Sequence, residues 1–129
     1  MTEEALSVLL ELEKRCYHKL VEAMDLTRDL SEAVDRNDQV SLGLFLSLRQ
    51  KALLEMQEIR SLMQLKRLEL DPSEVEAFDR LLAGETAESP LEQPLVEQIA
   101  ANRRLLGQLD AMDRRVNEKL CGEHSFYQR

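Results

Sequence analysis

Apolar residues recur at steps of three and four along three long stretches of the chain, and each stretch predicts an amphipathic helix. Over residues 3–36 the stripe holds Leu6, Leu9, Leu10, Cys16, Tyr17, Leu20, Ala23, Met24, Leu30 and Val34. Glu13 and Thr27 fall on the same face. These polar interruptions argue against an ideal leucine zipper and suit a looser bundle. Residues 39–70 align Phe45, Leu48, Ala52, Met56, Ile59, Leu62 and Met63, with Leu42, Leu46, Leu53, Leu54 and Leu65 off that line. So broad an apolar surface implies contact with more than one neighbour. The third stretch, 94–121, aligns Leu95, Ile99, Leu106, Leu109, Met112, Val116 and Leu120, with Asn102 set into the stripe and Leu105 beside it.

The breaks between these stretches carry their own signals. At Asp35-Arg36-Asn37-Asp38, Asn37 can take a left-handed cap and Asp38 can receive the first N–H groups of a new helix. That predicts a helix-helix turn and an elongated hairpin whose arms each span about 45 Å. Heptad phase also carries through from Val34 to Phe45, so periodicity leaves one continuous helix open. Asp71-Pro72-Ser73-Glu74 combines an N-cap, a proline at the first helical position and a capping-box glutamate. It predicts a short helix over 72–83, stopped by Gly84. Residues 85–93, with Pro90 and little apolar content, suit a mobile connector, and Gly122 predicts a helix end with a tail over 122–129. The expected fold is a single all-α domain over 1–129. It is an elongated antiparallel helical hairpin, coiled-coil-like, with a short third helix and a C-terminal amphipathic helix in a bundle-like arrangement. Whether that last helix packs on its own hairpin or is swapped stays open.

Composition agrees with long helices. Aromatic residues make up 4% of the 129 residues and charged residues 33%, against roughly 25% charged in typical domains. A β-rich enzyme is thereby disfavoured. The net charge of −8 repels phosphate backbones and anionic lipid, so neither nucleic acid nor a membrane is an expected partner. The negative charge concentrates between Asp71 and Glu97, where Arg80 is the only base. Such a stretch is a solvated surface or a docking site for a basic partner. Cys16 and Cys121 form no Cys-x-x-Cys pair, and the N-terminus is acidic where a secretory signal would be basic. With no run of about 18 apolar residues, a soluble protein of the cytoplasm is expected.

The search for chemistry yields little. His18 and His124 lack matching ligands in sequence, and Glu-x-x-His and the glycine-rich phosphate loops are absent. Cys16 lies on an apolar stripe, where a buried inert thiol is expected. No catalytic residue, metal site or cofactor follows, and the chain does not read as an enzyme. What remains is an interaction surface. Met24, Met56, Met63 and Met112 lie on helix faces, as core packing or as an adaptable groove. Leucines left off the main stripes call for a partner, either another copy or a client.

Four segments together carry a family resemblance: Leu9-Leu10-Glu11-Leu12-Glu13, Ala33-Val34-Asp35-Arg36-Asn37-Asp38, Leu48-Arg49-Gln50-Lys51-Ala52-Leu53-Leu54 with Ile59, and Ile99-Ala100-Ala101-Asn102-Arg103-Arg104-Leu105-Leu106. They resemble the FlgN group of flagellar type III export chaperones, with the FliT group similar in style. The proline-capped helix near residues 71–82 has no counterpart in that pattern. The resemblance implies a cytoplasmic chaperone of the bacterial flagellum. It would bind amphipathic helical segments of secreted subunits, the hook-filament junction proteins, prevent their premature assembly and bring them to the export apparatus. It places client binding in the C-terminal portion, here Leu95, Ile99, Leu105, Leu106, Leu109, Met112 and Val116. The alternative is a structural helical bundle that forms a homo-oligomer without a client. Sequestration of a transcription factor is a third possibility that sequence does not separate from the first.

Overall fold

The chain folds into four helices, with no strand among the described residues: α1 (Glu3–Asp35), α2 (Gln39–Leu68), α3 (Pro72–Leu82) and α4 (Gln93–Tyr127). The computed structural model describes the backbone of residues 1–127 and the side chains of residues 1–122. Thr2 starts α1 by accepting the Ala5 N–H at 3.1 Å, and Glu3 and Glu4 set negative charge on the positive end of the helix dipole. Asn37 ends it with φ of 56°. The Asp38 N–H then reaches the Ala33 carbonyl at 2.9 Å and the Asn37 N–H the Val34 carbonyl at 3.0 Å, which satisfies carbonyls that a helix end leaves without partners. The Asp38 carboxylate caps α2, accepting from the Ser41 N–H at 3.1 Å and the Ser41 hydroxyl at 2.6 Å. Residues 35–38 therefore form a helix-helix turn and not a continuous helix.

The start of α3 is tied to the start of α1 through one side chain. Glu74 accepts the Asp71 N–H on one carboxylate oxygen at 3.4 Å and the Thr2 N–H on the other at 3.3 Å. At the far end of α3, Gly84 has φ of 88°, and a Cβ there would lie 2.7 Å from the Arg103 guanidinium. The backbone angle favours glycine at that position, while the Arg103 side chain can swing aside to relieve the contact. The segment expected to be a mobile connector is organised around Arg80, the only base in the acidic stretch. Its guanidinium donates to both oxygens of Glu92 at 2.8 and 2.9 Å and to the Thr86 carbonyl at 3.0 Å. Glu92 also accepts the Glu88 N–H at 2.9 Å. That backbone bond, with Arg80 beside it, holds the Glu92 carboxyl below the usual glutamate range.

Gly122 does not end the last helix, which continues to Tyr127. A glycine inside a long helix costs only about 1 kcal/mol relative to alanine, and no proline follows to stop it. The last two residues of the expected tail, 128–129, lie outside the described residues.

α2 returns antiparallel to α1, while α4 runs parallel to α1 at a near-constant offset. Asn102 meets Glu13 low in the bundle, and Lys119 meets Ser31 at 2.8 Å and Asp35 at 3.0 Å near the top. The core has two parts. In the lower one Leu6, Leu9, Leu12 and Cys16 of α1 meet Met63, Leu95 and Ile99, and α3 closes the end with Phe78 and Leu81. In the upper one Leu20, Ala23 and Met24 meet Leu109, with Leu53, Leu105 and Met112 packed around them. Burying each large side chain contributes roughly 1.5–3 kcal/mol, and these clusters supply most of that term. Thr27, one flaw in the first stripe, is buried: its hydroxyl donates to the Ala23 carbonyl at 2.6 Å and accepts from Arg49 at 3.0 Å. Arg49 also pairs with Asp113, so this one α2 side chain links all three long helices. No helix among the described residues is long and apolar enough to cross a membrane.

Candidate functional site

α1 packs along both α2 and α4, but α2 and α4 make no extended contact with each other. Between them opens a cleft of about 600 Å³, floored by Glu13 and Met63 and walled by α2, α4 and the end of α3. That volume falls within the roughly 300–1,000 Å³ of small binding sites. It has room for a few side chains projecting from a docked segment. Gln57, Arg60, Ser61 and Gln64 line the α2 side, Ile99, Asn102, Arg103 and Leu106 the α4 side, and Leu82 the lower end.

The floor is built on the other flaws in the two stripes. Asn102, 3% exposed, donates through its amide nitrogen to the Glu13 carbonyl at 2.8 Å and to the Glu13 carboxylate at 2.5 Å. The Asn102 amide oxygen accepts from Gln98 at 3.1 Å. A polar group on an apolar stripe is tolerated when it is hydrogen-bonded across the interface, and such a pair fixes the register of the two helices. Cys16 lies in the same core, and burial together with the Glu13 charge pushes its thiol up to about 11. It is a neutral thiol at physiological pH and no nucleophile.

The rim is basic. The Arg103 guanidinium donates to the Leu82 carbonyl at 2.8 Å and so places positive charge at the C-terminal end of α3. Arg60 stands across from it on α2 and forms no ion pair among the described residues. Half-buried Leu82 and Leu106 lie between the two guanidinium groups, over buried Met63 and Ile99, so the cleft offers a small apolar contact flanked by cations and polar side chains. That suits the apolar face of a helix bearing acidic flanks.

The seven residues assigned to partner binding do not form one free surface. Leu95, Ile99, Leu109 and Val116 are buried, and Leu105, Leu106 and Met112 are half-buried around the upper core. Only Ile99 and Leu106 of the seven line the cleft. An apolar stripe records that a helix face is covered, and α1 is what covers this one. Uncovered leucine lies on α2 instead: Leu44, Leu62, Leu65 and Leu68 are among its exposed side chains. The arginines of the rim were not singled out in the sequence, since arginines on a helix usually face solvent. The polar breaks at Glu13 and Asn102 were the visible signal of the cleft floor. Among the described residues no group of His, Cys, Asp or Glu is arranged to hold a metal ion.

No protein-family model, curated protein or solved structure matches the chain.

Proposed function

We propose that the protein is a cytoplasmic export chaperone that receives an amphipathic helix of another polypeptide in the cleft between α2 and α4, as the fourth member of a helical bundle. The observation that carries this reading is the open side of the bundle. α2 and α4 flank α1 without closing on each other, leaving half-buried Leu82 and Leu106 at a cleft between two arginines. A docked helix would cover the exposed parts of Leu82 and Leu106, at about 25 cal/mol per Å² of apolar area removed from water, and acidic residues on its flanks would meet Arg60 and Arg103. The FlgN-like resemblance names the client class as hook-filament junction proteins of the flagellum. Covering the client's own amphipathic helix keeps it from assembling before it reaches the export apparatus.

In the closed bundle the client touches Leu106 and only the edge of buried Ile99. The other five C-terminal residues, Leu95, Leu105, Leu109, Met112 and Val116, become available only where α4 parts from α1. The C-terminal client site that the resemblance implies then corresponds to an opened form of this bundle.

Titration calorimetry with the terminal helices of junction proteins tests the reading. Binding at one client helix per chain is expected, weakened about tenfold by Arg60→Glu, since 1.4 kcal/mol corresponds to a factor of ten. No heat of binding at tens of micromolar, or binding indifferent to Arg60→Glu, would remove the cleft as the client site.

A further inference from the structure

Glu13 is the only acidic side chain among the described residues that line the cleft, and half of its carboxylate is unused. The residue is 4% exposed, and its Oε2 accepts from the Asn102 amide at 2.5 Å. Its Oε1 has no hydrogen-bond partner among the described residues. No side-chain oxygen or nitrogen sealed from solvent among those residues goes without a partner, so Oε1 opens into the cleft that Glu13 floors. Glu13 also forms no ion pair among the described residues. Arg103 is held at the Leu82 carbonyl, and Arg60 stands on the α2 wall. A negative floor thus lies beneath a positive rim. A buried carboxylate without a cation beside it is costly, and here that cost is present before any client arrives. A ligand bringing a cation gains attraction at Glu13 without desolvating that carboxylate anew.

We infer that the helix received in the cleft carries a lysine in the middle of its buried face, whose ammonium donates to Glu13 Oε1. This rests on the cleft as the client site and adds what the client presents there. Lysine fits better than arginine because Asn102 already occupies Oε2, so the carboxylate cannot take the two parallel bonds of a guanidinium fork. An ammonium needs only the one free oxygen, and Gln57, Ser61 and Gln64 on the α2 wall offer side-chain oxygens to its other hydrogens. The remaining lining sets the neighbours of that lysine. Leu106 lies one turn beyond Asn102 on α4 and Leu82 closes the lower end, so apolar residues one turn from the lysine on either side cover them. Arg60 and Arg103 face opposite flanks of the docked helix, where acidic residues adjoining the lysine lie about 100° to each side. The client face reads apolar, lysine, apolar along its centre, with acids on its edges. A stripe of leucine alone would set hydrocarbon against Oε1 and is disfavoured.

Synthetic helical peptides of this pattern, identical except for lysine, norleucine or glutamate at the central position, read this by titration calorimetry against the full chain. The lysine peptide should bind about tenfold more tightly than the norleucine peptide, because only the lysine makes a hydrogen bond to the charged oxygen. The glutamate peptide should bind most weakly. In the Glu13→Gln chain, with circular dichroism to verify folding, the preference for lysine over norleucine should disappear. Equal binding of those two peptides to the native chain, or a lysine preference that survives Glu13→Gln, would overturn the inference. The comparison on the native chain needs no variant to fold. Peptides that bind equally but all weaken with Arg60→Glu would leave the cleft as the client site and remove only its lysine requirement. No binding of any peptide at hundreds of micromolar would remove both.

Discussion

α1 and α2 are leucine-rich helices of 33 and 30 residues, yet twelve side chains of α1 are buried and only Ala52 and Met63 of α2. The cause is position. α1 has a neighbour on two sides, and its stripe is filled out by α2, α4 and the α3 plug. α2 leans chiefly on α1, with Met63 reaching the lower core, Arg67 paired to Asp79 of α3 and Arg49 to Asp113 of α4. The same amphipathic composition therefore serves as scaffold in one helix and as surface in the other. Function is sought on the helix that stability uses least.

The sharpest way to break this contrast is to truncate one leucine from each helix. Leu20→Ala in the upper core should cost about 2–5 kcal/mol, whereas Leu65→Ala should change the stability of the dilute monomer by less than about 0.5 kcal/mol. Urea unfolding followed by circular dichroism measures both. Equal losses would mean that α2 is as much a core helix as α1.

A smaller effect is expected where α1 meets α4. Asn102→Ala removes the donor from a buried carboxylate, at a cost of about 1–3 kcal/mol. Replacing both partners, Glu13→Leu with Asn102→Leu, should recover most of that loss, because apolar side chains can fill the site without an uncompensated charge. If the double variant is worse than the single one, shape and not desolvation governs the seam.

The smallest effect lies in the connector. The Glu92 carboxyl is held below its ordinary value of 4.5, first by the Glu88 N–H and then by Arg80. Its stabilising contribution is thus complete above that value and is lost as pH falls through the lower, folded one. Glu92→Gln should accordingly be less stable than the native chain at pH 7, with the gap narrowing by pH 3. A gap that widens in acid would contradict the assignment.

How much of this was visible in the residues varied with the range of the interaction. The turn at Asn37 and Asp38 and the helix start at Asp71-Pro72 were legible because each is decided by a backbone angle or cap within a few residues. The all-α class followed from three apolar stripes. Which helix stands in the middle was not legible, since the stripes of α1, α2 and α4 resemble one another and only assembly decides which is covered twice. For the same reason Leu95, Ile99, Leu109 and Val116 could be identified as a face but not as a face covered by α1. Glu13, Thr27 and Asn102 were recognisable as breaks in their stripes, while their partners, Asn102 for Glu13 and Arg49 for Thr27, lie 89 and 22 residues away. Gly122 misled because a glycine weakens a helix without necessarily stopping it.

Hydrogen exchange of the native chain, alone and with a junction-protein helix at ten times its dissociation constant, bears on the cleft itself. A client seated between α2 and α4 should slow exchange of amides near residues 57–64 and 99–106 by about tenfold, while amides at the centre of α1 keep their rate. In the free chain α4 should exchange faster than α1. Unchanged rates along both walls of the cleft, or protection confined to the outer side of α2, would contradict a client helix in that site.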